Sequence, residues 1–118
     1  MKRSLYLLLL SALVVCLQGC EEPGTTESSE LGKFDSEDVA QGRLIFDGGC
    51  NTCHGIDAAD APGISDTLVW AEFAAKGIET LVNNVKIGLN GHPPKGLCLG
   101  CTDTDLKVAI IYMISESQ

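Results

Sequence analysis

Two cysteines three positions apart with a histidine directly behind them, Cys50-Asn51-Thr52-Cys53-His54, limit this 118-residue chain more than any other feature. On one tight helical turn, two thiols at this spacing can form thioether bonds to the two vinyl groups of a haem, with the next imidazole beneath the iron. A redox-active dithiol and half of a zinc site are the rivals. The first lacks a thioredoxin-like strand context. The second would need Cys98-x-x-Cys101 to close a four-thiolate site across 44 intervening residues, far from the usual ligand separation. One covalent haem c, attached at Cys50 and Cys53 with His54 as proximal iron ligand, is therefore the expected cofactor.

The amino-terminal residues look like an export signal. Lys2 and Arg3 precede Leu5 through Leu17, thirteen nearly all apolar residues, too few for a membrane span of about twenty. The segment ends Leu17-Gln18-Gly19-Cys20, which resembles the bacterial lipobox and implies a lipidated Cys20 as the mature amino terminus. A plain cleaved signal is the alternative. Cys16 follows Val15, not a small residue, and leaves with the signal. Residues 21–34 are polar and acidic with almost nothing to bury, so they cannot offset their conformational entropy. The expected organisation is a signal peptide over 1–19, a lipidated acidic tether over 20–34 and one folded domain over 35–118. Export places that domain on the periplasmic side of a bacterial membrane, lipid-anchored or, with a plain signal, soluble, and in an oxidising compartment.

Sixteen acidic against eight basic side chains give a formal charge of −8 and a pI near 4.5. Such a chain would approach a nucleic acid against its own field, which excludes that partner class. Loss of Lys2 and Arg3 with the signal deepens the charge to −10. The excess suits redox partners with a basic docking patch, or is simply a solvated acidic face.

The remaining pattern is helical, and no alternating run argues for a sheet. Asp35 or Ser36 can cap a first helix with Glu37 and Asp38 in its first turn, Val39, Gly42 and Phe46 on one face, and Gly48-Gly49 as its stop. A second, capped by Asp66 or Thr67, runs through Leu68, Trp70, Phe73 and Ala74 to Gly77. The third runs from Ile78 to about Gly88. The last starts at Thr102, with Asp105 completing a pair like a capping box, and carries Leu106, Ala109, Ile110 and Met113 on one stripe with Val108, Ile111 and Tyr112 beside it. A metal-bound imidazole is usually fixed through its other nitrogen, and the carbonyl of Pro62 is placed to fix His54; a simple turn proline is the alternative.

Residues 36–115 resemble the cytochrome c5 group of small bacterial monohaem c-type cytochromes. The resemblance rests on Gly42 and Phe46 before the Cys50–His54 motif, Ala61-Pro62-Gly63, Trp70, the run from Gly91 to Asp103, and Tyr112-Met113. It implies an all-α cytochrome c fold of about four helices around one haem. The first and last helices would cross where Gly42 admits close approach, with Phe46 near Tyr112. It implies further that Cys98 and Cys101 form a disulfide, worth only about 2 kcal/mol for so short a loop, and that Trp70 and Pro93 join Pro62 around the haem. Thr102 stands where a second haem motif would need histidine.

The departure is at position 92, where the family has a Met that is the sixth iron ligand and this chain has His92. Met113 reads as core and Lys95 as a weaker substitute, so His92 is the expected distal ligand. Pro93 and Pro94 would stiffen its loop. A second imidazole, a stronger donor than a thioether, favours the ferric state and lowers the potential. The resulting expectation is a membrane-tethered one-electron carrier, not an enzyme; Asp57 and Asp60 read as loop charges, not as an acid–base pair. The alternative is a gas sensor or weak peroxidase with a labile distal site.

Overall fold

The computed structural model describes residues 34–56 and 58–118. The expected signal peptide, Cys20, nearly all of the expected tether and Asp57 lie outside the described residues. Phe34, last residue of that expected tether, packs against the core.

Helix α1 spans Ser36–Ile45, with the Asp35 carboxylate accepting a hydrogen bond from the Glu37 amide at 2.8 Å. Glu37 and Asp38 then lie at the positive end of the helix dipole. Gly48 and Gly49 do not stop the winding. The chain continues through a wider π-turn, Phe46–Cys50, into helix α2, Asn51–His54. Glycine disfavours a helix interior only weakly, by about 1 kcal/mol, and here Phe46 anchors the turn from below. Its ring is 5% exposed and lies 5.2 Å from that of Tyr112. Such π-turns often occur at functional sites, and this one carries the first helix directly into Cys50, Cys53 and His54.

Helices α3, Thr67–Ala74, and α4, Ile78–Ile87, follow, separated by Gly77 at φ 82°. Gly88 closes α4 in the left-handed conformation. Helix α5, Asp103–Glu116, opens on a full capping box: the Thr102 hydroxyl accepts from the Asp105 amide, and the Asp105 carboxylate accepts from the Thr102 amide. No strand occurs among the described residues.

Everything packs on α5. Leu106 and Val108 through Ile114 are all buried, the expected stripe and its neighbours Val108, Ile111 and Tyr112 with Ile114 besides, because α1 lies along one side while α4 and α3 cover the other. A helix apolar all round is stable only when enclosed in this way. Gly42 of α1 sits on the α5 backbone, where a Cβ would come within 2.0 Å of the Val108 carbonyl oxygen. Met113 lies in the same apolar cluster as Trp70, Leu81, Ile110 and Ile114. The exposed ion pairs Lys107–Glu79 and Lys86–Asp103 link α4 to α5 and contribute little stability.

Candidate metal centre

His54 ends α2, and its Nδ1 donates to the Pro62 carbonyl at 2.9 Å. A carbonyl only accepts, so the proton is on Nδ1 and the Nε2 lone pair is free. Pro62 is held in turn from two sides. The Ile64 amide donates to the His54 carbonyl at 2.7 Å, and the Trp70 indole N–H donates to the Gly63 carbonyl at 2.7 Å. The Trp70 ring is 4% exposed and edges against His54 with ring centres 5.7 Å apart.

His92 arrives from a different part of the chain. After α4 the backbone turns through Gly88, Asn90 and Gly91, all at positive φ. Gly88 has no room for a side chain, since a Cβ would come within 2.5 Å of the His92 carbonyl oxygen. The His92 Nδ1 donates to the Pro93 carbonyl at 2.8 Å, again leaving Nε2 unprotonated. Burial pushes the His92 pKa below its ordinary value; the Pro93 hydrogen bond opposes this and His54 adds to it. The neutral ring, the form that ligates metals, is thereby favoured.

The two imidazoles meet with ring centres 6.0 Å apart and planes 28° from parallel. That separation would leave room for a metal held by both Nε2 atoms at about 2 Å per bond. The donor set also suits a haem in particular. Among the described residues no group of three or more His, Cys, Asp or Glu gathers around a common point. A metal held by these two imidazoles would therefore take its remaining ligands from a bound group such as a porphyrin. Cys50 and Cys53 are the free cysteines of the described part, both half-buried, at the entry to and within α2. Burial raises the pKa of the Cys50 thiol, with its own backbone hydrogen bond opposing and Cys53 adding to the rise.

The family model described as cytochrome c oxidase, cbb3-type, subunit III matches residues 37–113. Cytochrome c5 of Ectopseudomonas mendocina is 41% identical over 66 residues, covering 54% of this chain and 76% of that protein. The chain belongs to the small c-type cytochromes. Cytochrome c5 of Azotobacter vinelandii is 44% identical over 63 residues, covering 52% of this chain and 76% of its own. Cytochrome c-555 of Chlorobaculum tepidum is 34% identical over 91 residues, covering 74% and 84%. A chain from the crystal structure of an electron-transfer complex of nitrite reductase with cytochrome c superposes with a TM-score of 0.63 at 28% identity, over 73% of this chain and all of that one. The all-α fold, the covalently bound haem c and a role in electron transfer follow from this membership.

In this cytochrome Cys98 and Cys101 are bonded to each other, with Cα atoms 5.4 Å apart, so they offer no thiolate to a metal. The Lys95 ammonium donates to the Cys101 carbonyl at 2.8 Å, away from any ligand role. Met113 stays in the core. Pro93 is exposed, and its carbonyl is what engages His92. Sequence reasoning assigned Pro93 and Pro94 a stiffening role and missed that hydrogen bond, as it missed the left-handed backbone of Lys95 and Leu97. The density of glycines from Gly88 to Gly96 was the available signal of an unusual loop there.

Proposed function

We propose that this cytochrome is a membrane-tethered one-electron carrier in which Cys50 and Cys53 bond the haem and His54 and His92 supply its two axial nitrogens. The observation that carries this reading is the pair of facing imidazoles, each with Nδ1 bound to a prolyl carbonyl. The haem supplies a reversible ferric/ferrous couple. The protein holds both Nε2 atoms in place, so little needs to move when one electron arrives or leaves. Trp70 edges against His54, and the half-buried Phe73 packs on Trp70 with ring centres 5.7 Å apart. Paired imidazoles stabilise the ferric state relative to imidazole with thioether, which sets the potential below that of Met-ligated relatives.

Electron paramagnetic resonance and visible spectra of the ferric protein test the axial pair. A low-spin signal of two imidazoles without a sulfur-to-iron charge-transfer band is expected. A high-spin ferric signal, or that band, overturns the assignment and favours an open or labile distal site.

The signal-like residues 2–17 and the lipobox-like Leu17-Gln18-Gly19-Cys20 support a lipid anchor on the periplasmic side of a bacterial membrane. Replacing Cys20 with Ser should shift the protein from the detergent phase to the aqueous phase on partitioning. A distribution like the parent's removes the anchor.

The redox partner is expected to present basic side chains. All five cationic side chains among the described residues are already engaged: Arg43 with Asp47, Lys76 over Phe73, Lys86 with Asp103, Lys95 with Cys101 and Lys107 with Glu79. The surface left for a partner is therefore predominantly acidic. Electron transfer to a basic partner should slow severalfold between roughly 0.01 and 0.15 M salt as screening shortens the range of attraction. A rate indifferent to salt eliminates electrostatic docking.

A further inference from the structure

The loop that presents His92 is held by unusual means. Lys95, Gly96 and Leu97 are three consecutive residues at φ 55°, 59° and 69°, a left-handed run in which only glycine is at ease. Strained backbone of this kind persists only where its surroundings impose it, and it clusters at ligand clamps. Here the surroundings are few. The Gly96 amide donates to the Pro93 carbonyl at 2.8 Å and the Cys98 amide to the Lys95 carbonyl at 3.0 Å. Beyond the run, the Cys98–Cys101 disulfide closes the segment onto the start of α5. The Lys95 Nζ bond to the Cys101 carbonyl crosses from the strained run itself to the residue before the α5 cap.

That bond gains nothing from α5. An ammonium near the amino-terminal end of a helix faces the positive end of its dipole. What the bond does is close the run on itself, and Gly96, in the middle of the run, borders the His92 ring. A Cβ at Gly96 would lie 3.5 Å from His92 Cε1 and 3.9 Å from Nε2.

We infer that Lys95 is a positioning residue for the distal imidazole: through Cys101 it locks the left-handed turn 95–97 against the His92 ring and keeps that ring at its place 6.0 Å from His54. The inference rests on His92 being the distal ligand. It predicts that loosening the lock raises the fraction of molecules in which His92 has swung away, with His54 and the haem attachment untouched.

The test compares the holoprotein with Lys95→Met, which keeps the apolar stem and loses the donor, and with Lys95→Arg, which keeps a donor. Carbon monoxide uptake by the ferrous protein, ferric electron paramagnetic resonance and thermal melting are read for each. Loss of one hydrogen bond from a charged donor should speed carbon monoxide uptake in Lys95→Met by about tenfold, and Lys95→Arg should restore a rate near the parent's. A Lys95→Met protein that melts earlier but takes up carbon monoxide at the parent's rate overturns the inference, because a purely structural lysine would behave so. Equal acceleration in both variants also overturns it. A parent protein without the paired-imidazole signal overturns the axial assignment, and this inference with it.

Discussion

His92→Met should raise the reduction potential by roughly 0.1–0.3 V, a sizeable part of the ~0.8 V range that axial ligands command. The argument begins with the electron pair. An imidazole Nε2 donates more strongly than a thioether sulfur, and the ferric iron gains more from donation than the ferrous. In this protein Nε2 is made a still better donor, since Nδ1–H engages the Pro93 carbonyl and pushes density across the ring. The substitution removes both effects together. It should also bring in a sulfur-to-iron charge-transfer band in the ferric spectrum, which shows that the new sulfur has bound. Potentiometry of the two proteins decides. If the potential and the ferric spectrum are those of the parent, His92 was never a ligand. If the potential rises without the sulfur band, an open distal site and not exchange of donors has set it.

What could be read before the structure was mostly local. The Asp35 cap and the Thr102–Asp105 box each need only residues two or three apart, and both form. The four longer helices begin within a residue of where the sequence places them, although Asp66 makes no side-chain capping bond to α3 and Gly77 offers none to α4. The failures are where distant groups override local preference. Gly48-Gly49 reads as a stop, yet the chain winds on into Cys50, because Phe46 is locked against Tyr112 of α5. The left-handed turn at Lys95 and Leu97 is invisible in residue types that avoid that conformation. It is imposed by a disulfide and by a lysine reaching six residues ahead. His92 stands out in the sequence only as a departure from a family pattern. Its approach to His54 depends on 37 residues of intervening fold, which no periodicity reveals.

Gly42→Ala should be the most damaging single-methyl change in the protein. The added Cβ would come within 2.0 Å of the Val108 carbonyl oxygen and 2.8 Å of Tyr112 Cβ. Neither atom can turn aside, because one is helix backbone and the other is fixed to it. Helices α1 and α5 must separate, and the separation is felt along their whole shared face. Overpacking of a core costs 1–3 kcal/mol in common cases, and a clash with backbone belongs at or above about 3 kcal/mol. For a domain of this size that is a fall in melting temperature of roughly 10–20 °C. The damage should not stop at stability. Phe46 rides on the end of α1 and anchors the π-turn that delivers Cys50, so a displaced α1 should also lower the fraction of protein with covalently attached haem. Gly48→Ala is the control: a Cβ there meets nothing within 4 Å, and its effect should stay within about 1 kcal/mol. Haem-to-protein ratio and melting temperature of the two variants, measured side by side, separate the cases. If Gly42→Ala melts and loads haem as Gly48→Ala does, the close crossing of α1 and α5 is wrong, and with it the explanation of why the first helix carries straight into the haem motif.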